Sequence, residues 1–158
     1  MAPLPDIHPA DPDSPAAAAC LAAYFTELAA RFPEGFDPGP GPHGAAFRPP
    51  AGAFLLAEGR LGCVGLSEGP DGSTLEVKRL WVAPVARGTG LARRLMGAAE
   101  DAARATGAAR LVLDTHPSLA EAIAFYTREG WQPIPRYNDN PYAGHWFAKA
   151  LGAAPPAG

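Results

Sequence analysis

The sequence is poor in the features that mark several common protein classes. It has only two cysteines, Cys20 and Cys63, far apart and without paired spacing, so neither a disulfide framework nor a metal site is read from them. Basic residues are in the minority, 13 Lys and Arg against 16 Asp and Glu, and the net charge of −3 argues against nucleic acid as a default partner. No apolar run approaches the length of a membrane span, and no basic-then-apolar leader opens the chain. A cytoplasmic protein with no membrane partner is therefore expected. Internal repeats are absent as well. Charged residues make up 18% and hydrophobic residues 47%, the balance of a globular chain that can bury one true core.

Glycine and proline are plentiful, at 18 and 19, and cluster toward the N-terminal side. Ser14 followed by Pro15 reads as a helix start, a capping hydroxyl and then a proline where no N–H is missed. The helix continues over 16–31 with Leu21, Tyr24, Phe25 and Leu28 along one side. Residues 33–50 form a long Pro/Gly-rich loop, and loops of that length inside a domain are either functional or disordered. A hairpin over 53–57 and 61–66 follows, then a strand over 75–82.

The strand over 75–82 breaks the period of two. Its apolar residues fall at Leu75 and Val77, then at Leu80 and Val82, so the buried face changes parity. One extra residue near Lys78-Arg79, a β-bulge, would restore it. A helix over 90–106 should bury Leu91, Leu95, Ala98/Ala99 and Ala102 and show Arg93, Glu100, Asp101 and Arg104 to water, with Gly107 ending it. A strand over 110–114 precedes Ser118-Leu119-Ala120-Glu121, a capping-box pattern opening a helix that Gly130 closes. Strands over 131–137 and 146–151 end the domain.

The richest segment joins the strand ending at Val82 to the helix after Gly90. Arg87, Gly88, Thr89, Gly90, Leu91 and Ala92 bring glycines and the first free N–H groups of a helix together. That combination suits an anion, and a pyrophosphate above all. Leu91-Ala92 stand where a P-loop needs lysine and a hydroxyl. A dinucleotide fingerprint needs its first glycine hard against the strand and a third where Arg93 stands, although Asp114 imitates that fold's ribose-binding acid. What remains is Arg-x-x-Gly-x-Ala at Arg87, Gly90 and Ala92, after a strand ending in Val-x-Pro.

That pattern resembles the acetyl-CoA loop of the GCN5-related N-acetyltransferases, the GNAT family. The resemblance runs from about Ala53 to Leu151 and includes Glu76 through Val82, Ala122-Ile123-Ala124-Phe125-Tyr126 and Gly130-Trp131. It implies an α/β fold with a mixed, twisted central sheet flanked by helices, one domain over residues 1–151 and a flexible tail over 152–158. It also implies a bulge that parts two parallel strands to admit pantetheine beside Leu80, Trp81 and Val82, with Glu76 as the general base and Tyr126 as the general acid. Leu119 stands where the family commonly has Asn, which removes one cofactor hydrogen bond.

Moving an acetyl group to an amine needs a base for the ammonium proton and an acid for the leaving thiolate. Tyr126 also completes an apolar stripe with Leu119, Ala122 and Ile123, a packing role compatible with a hydroxyl facing the slot. Arg87 and Arg93 are candidates for phosphate contacts. Tyr137, Asn138, Asp139 and His116 are candidates for the acceptor side. The expectation is acetyl-CoA as cosubstrate, no metal, a small or amino-acid-like amine as acceptor, and a homodimer as an option. A non-catalytic acyl-CoA-binding regulatory module and a dinucleotide-binding domain are the alternatives.

Overall fold

The computed structural model describes residues 4–39 and 44–152. Ser14 caps the first helix, α1 (Pro15–Arg31), its hydroxyl accepting from Ala17 N, and Pro15 occupies the first turn. A short strand, β1 (Ile7–Pro9), precedes it. After α1 come β2 (Ala53–Ala57), β3 (Gly62–Glu68), β4 (Thr74–Val82), α2 (Leu91–Ala105), β5 (Arg110–Thr115), α3 (Ala120–Arg128), β6 (Gln132–Pro133) and β7 (His145–Ala150). The strands form one mixed seven-stranded sheet in the order β1-β2-β3-β4-β5-β7-β6, in which only β4 and β5 run parallel.

Strand alternation divides the core in two. Leu55, Val64, Leu66 and Val77 face α2, where Leu91, Leu95, Met96, Ala99 and Ala103 cover them, and α3 adds Tyr126 to the same cluster. Phe54, Leu56, Cys63 and Trp81 face the other way, under Ala17, Cys20 and Leu21 of α1. The two thiols, remote in sequence, meet in that cluster as free, buried cysteines, and the Cys63 Sγ donates to Arg79 O at 3.4 Å.

The expected bulge is present. Cys63 pairs with Trp81 but Gly65 pairs with Lys78, so Arg79 and Leu80 together oppose Val64 alone. Leu75, Val77, Leu80 and Val82 consequently all pack against the α2-side core, despite their change of parity. Arg79 takes the extra residue's conformation, with φ at 62°.

Several expectations are corrected. The capping box does not form: Leu119 is the N-cap of α3 and lends no side-chain hydrogen bond. Ser118 Oγ instead meets His116 Nδ1 at 2.8 Å, and the Glu121 carboxylate is taken by Arg31 of α1. In α2, Met96 and Ala103 are buried where Ala98 and Ala102 are only partly so. Glu100, expected in water, accepts from Lys149 at 3.2 Å and pairs with Arg104. The strand expected over 131–137 shrinks to Gln132–Pro133, since Pro133 and Pro135 have no N–H to donate.

Segments on both sides of residues 40–43 of the Pro/Gly-rich loop pack onto the domain. Phe32 and Phe36 pack against Tyr142, and Phe47 is buried in a 3-10 turn, Ala45–Phe47. Residues 40–43 of that loop and 153–158 of the expected tail lie outside the described residues.

Candidate active site

The bulge re-aims the second half of β4, and the parallel ladder with β5 stops. Its rungs are Thr74–Arg110, Leu75–Leu111 and Glu76–Val112. Beyond them β4 stays paired with β3 up to Val82, and β5 with β7 up to Thr115. The two strands therefore splay apart, leaving backbone groups of β4 without a sheet partner on that side. Two clefts open around this gap.

The cleft at the α2 end has a volume of about 480 Å³, and Val82, Gly88, Gly90, Leu91, Phe125 and Arg128 are among its walls. Gly90 caps α2 in the left-handed conformation at φ 88°, with no side-chain cap, and Gly88 lies at φ 78°. Helix geometry leaves the N–H groups of Leu91, Ala92 and Arg93 unpaired at the cleft. A Cβ on Gly88 or Gly90 would meet nothing within 4 Å, so the loop faces open space rather than packed side chains. Thr89 fixes the turn by donating to Ala86 O at 2.6 Å. These features fit a diphosphate, with Arg128 on the rim as a further cation.

Arg87 is engaged elsewhere. Its Nε donates to Val82 O at 3.0 Å and its Nη2 meets Glu27 Oε1 at 2.5 Å, a carboxylate that also accepts from Trp81 Nε1 at 3.3 Å. The side chain thus ties the cradle to α1. Arg93 points to solvent, 77% exposed, and pairs with Glu129 at 3.0 Å.

The second cleft, about 190 Å³, lies under α1 and takes its walls from three sources. Lys78, Arg79 and Leu80 come from β4, Asp114 and His116 from β5 and the turn after it, and Tyr24, Phe25, Phe32, Phe36, Asn140 and Tyr142 from α1 and the loops. Tyr126 also lines it, its ring packed on Trp131 and Phe147. Burial, with Asp114 nearby, pushes the Tyr126 hydroxyl well above its ordinary range, so it is protonated at neutral pH.

Glu76 lies behind this cleft rather than on its wall. It is 8% exposed, and its Oε2 accepts from the Tyr137 hydroxyl at 2.5 Å and from Asn138 Nδ2 at 3.4 Å. Lys78 Nζ lies 3.3 Å from its other oxygen. Burial and this hydrogen bond to Glu76 together push the Tyr137 hydroxyl far up. Asn138 is the hub of the cluster: it also donates to Asp114 Oδ2 at 2.5 Å and accepts from Trp146 Nε1 at 3.0 Å. Asn140 Nδ2 meets the other Asp114 oxygen at 3.1 Å.

Of the acceptor-side expectations, His116 lines the cleft, stacked on Phe32 with ring centroids 3.9 Å apart and with Nε2 at 2.5 Å from Glu34. Tyr137 and Asn138 sit one layer back, organising the two carboxylates. Asp139 is exposed on the loop. Sequence reasoning did not single out Arg79 as a wall residue, named Asn140 and Tyr142 only as members of the polar, aromatic loop over 136–146 that the family resemblance places beside the acceptor, and read Asp114 only as a mimic of a ribose-binding acid. The place of Arg79 at the parity break of the strand was the one available signal for it.

No group of His, Cys, Asp and Glu among the described residues could hold a metal ion, and no helix there is long and apolar enough to cross a membrane.

The sequence pattern of the acetyltransferase (GNAT) family matches residues 21–131. Over 84 residues the chain is 38% identical to the IAA acetyltransferase of Azospirillum brasilense, a match covering 51% of this chain and 55% of that protein. The chain thus spans about half the length of this relative. A Klebsiella pneumoniae structure, identified provisionally as an acyl-CoA N-acyltransferase, superposes with a TM-score of 0.73 at 25% identity, covering 94% of this chain and 98% of that one. An aminoglycoside 6′-N-acetyltransferase complexed with coenzyme A superposes with a TM-score of 0.68, covering 96% and 99%. At 17% identity that likeness concerns the fold alone.

Proposed function

The chain belongs to the acetyltransferase (GNAT) family, and from that premise we propose that it transfers an acetyl group from acetyl-CoA to the amine of a small or amino-acid-like acceptor by direct attack. The domain carrying this activity spans residues 1–151. The observation that carries the reading is the parting of β4 and β5 after Glu76 and Val112, with a glycine-lined helix start on one side and a polar, aromatic cleft on the other.

Acetyl-CoA, when bound, supplies the activated acyl carbon and a sulfur leaving group. The N–H groups from Gly88 to Ala92 hold its diphosphate. Leu80, Trp81 and Val82 offer the free edge of β4 to the pantetheine arm, in the manner of an added strand. The bulge at Arg79-Leu80 turns a backbone N–H toward the reacting carbonyl, where it stabilises developing negative charge.

An alkyl amine is charged at neutral pH, so a carboxylate must take its proton. Two carboxylates share the hub at Asn138, and their surroundings divide the roles. Asp114 is on the cleft wall with only neutral amide donors, which supports direct contact with the amine. Glu76, held by Lys78 and Tyr137, acts on the amine only through water and otherwise orders Asn138. Tyr126, on the wall shared with β4, donates its proton to the departing sulfur.

The test is a screen of small amines with acetyl-CoA, following thiol release, in the wild type and in Glu76→Gln and Asp114→Asn. Amine-dependent release that Asp114→Asn suppresses more than Glu76→Gln is the expected result. Coenzyme A binding without release for any amine would favour the regulatory module. Preferential thermal stabilisation by NAD over coenzyme A would replace both with a dinucleotide site.

A further inference from the structure

Of the lysine and arginine side chains lining the acceptor cleft, Lys78 and Arg79, one has a carboxylate partner among the described residues and the other has none. Lys78 pairs with Glu76 at 3.3 Å, and His116 meets Glu34 at 2.5 Å. Arg79 has no carboxylate partner among the described residues. Its Nη1 is buried with no hydrogen-bond acceptor, and its guanidinium carbon lies 5.0 Å from the ring centroids of both Phe25 and Phe47. Aromatic faces attract a guanidinium but accept few of its five N–H bonds. The same residue carries the left-handed backbone of the bulge, at φ 62°. A left-handed backbone and a guanidinium with one buried, unsatisfied nitrogen thus coincide at one half-buried residue on the wall of a cavity, and such costs concentrate at binding sites.

Asp114 supplies the opposite charge. It faces the same cleft and has only the amides of Asn138 and Asn140 as partners, with no cation among the described residues. Arg79 and Asp114 both line the one cleft of about 190 Å³, together with Tyr24. The rest of the lining is largely aromatic, from Phe32, Phe36 and Tyr142. A cleft with one unmatched positive group, one unmatched negative group and apolar rings is complementary to a zwitterion with an apolar body.

We infer that the acceptor is an apolar α-amino acid, its carboxylate held by Arg79 and its amino group received by Asp114. The inference rests on the acetyl-transfer reading above and names the substrate class of that same site. In the transfer, the new N–C bond replaces the thioester C–S bond. The ammonium gives up two protons, one to the Asp114 carboxylate and one that restores the Tyr126 hydroxyl after its proton has passed to the sulfur, giving an N-acetyl amino acid and free coenzyme A. Arg79 selects the substrate by a bidentate hold on its carboxylate, which no neutral group can satisfy.

The experiment compares kcat/KM for leucine, methionine, phenylalanine and tryptophan with the values for their amides and their decarboxylated amines, in the wild type, Arg79→Met and Arg79→Lys. The wild type is expected to prefer at least one free amino acid over its amide and amine by about 30-fold or more, the scale of an unpaired buried charge. Arg79→Met should erase that preference, bringing the ratio of kcat/KM for acid over amine close to one, and Arg79→Lys should recover part of it. Retained coenzyme A binding confirms that the variants fold. Equal use of acid and amide by the wild type, or an undiminished preference in Arg79→Met, overturns the inference. If no amine in the panel is acetylated, the acetyl-transfer reading fails for this class, and calorimetric titration with the same amino acids decides the site alone. Binding lost in Arg79→Met then supports a zwitterion site, and no binding to the wild type overturns it.

Discussion

Glu76 and Val112 form the last rung of the parallel ladder between β4 and β5. Past that rung each strand keeps its outer neighbour and loses its inner one, so the sheet carries a wedge-shaped opening at its centre. The cause is one surplus residue: Arg79 and Leu80 together oppose Val64, and the bulge turns the rest of β4 away from β5. Both clefts border this opening, and both roles proposed for the chain depend on it.

Gly90 is the position where the cradle is most sensitive. Its φ of 88° caps α2, and an alanine there costs about 1–2 kcal/mol of backbone strain. Gly90→Ala should lower the unfolding free energy from urea titration by that amount and weaken coenzyme A binding by about tenfold, as the cap relaxes away from the diphosphate geometry. Calorimetric titration with coenzyme A measures it, and an unchanged Kd would remove the loop from the binding site.

Tyr126→Phe keeps the ring packed on Trp131 and Phe147 and deletes only the hydroxyl. With the phenol as proton donor, kcat should fall by about 10²-fold or more while coenzyme A affinity stays within about twofold. A drop in stability with unaltered kcat would leave Tyr126 as a core residue only.

Alkaline pH should unfold the protein steeply. Burial raises the Tyr24 and Tyr126 hydroxyls above their ordinary value of 10.0. The unfolded chain ionises first, so their contribution is intact below pH 10 and declines as pH rises beyond it toward the folded values. Each tyrosine should remove about 1.4 kcal/mol per pH unit in that window. Urea titrations between neutrality and high pH read the slope. Tyr24→Phe should flatten it by one such increment, and an identical slope would mean that the hydroxyl is ionised in the fold as easily as outside it.

The two thiols should be silent in the folded protein. Cys20 and Cys63 are 1% and 0% exposed, and hydrogen bonding to Cys20 together with burial pushes the Cys63 thiol up. An aromatic disulfide reagent should titrate neither in buffer and both in denaturant, so thiol release in the transfer assay reports coenzyme A alone. Rapid modification of the native protein would show that α1 lifts from the sheet.

Elements set by short-range chemistry were legible in the chain. Ser14-Pro15 starts α1, Gly107 follows α2 at φ 86°, and the shifted parity of Leu75, Val77, Leu80 and Val82 marks the bulge within a residue. The cradle was legible for the same reason, since helix N–H groups and glycine torsions are local properties. Ser118 and Glu121 match a capping box as a pattern, yet Arg31 and His116 outcompete the local backbone for their side chains. Partners distant in sequence cannot be read from a four-residue motif.

The order of residues alone determined the helices, the buried faces, the bulge and the glycine-lined helix start, because each follows from hydrogen-bond geometry and apolar spacing within one element. Only the folded arrangement decided which carboxylate meets the cleft under α1, why Glu76 is closed behind Tyr137 and Asn138, and that Arg79 lines the cleft with no carboxylate partner among the described residues. Those outcomes depend on which side chains from α1, β4, β5 and the loop before β7 converge, and charge pairing is settled by distance in space.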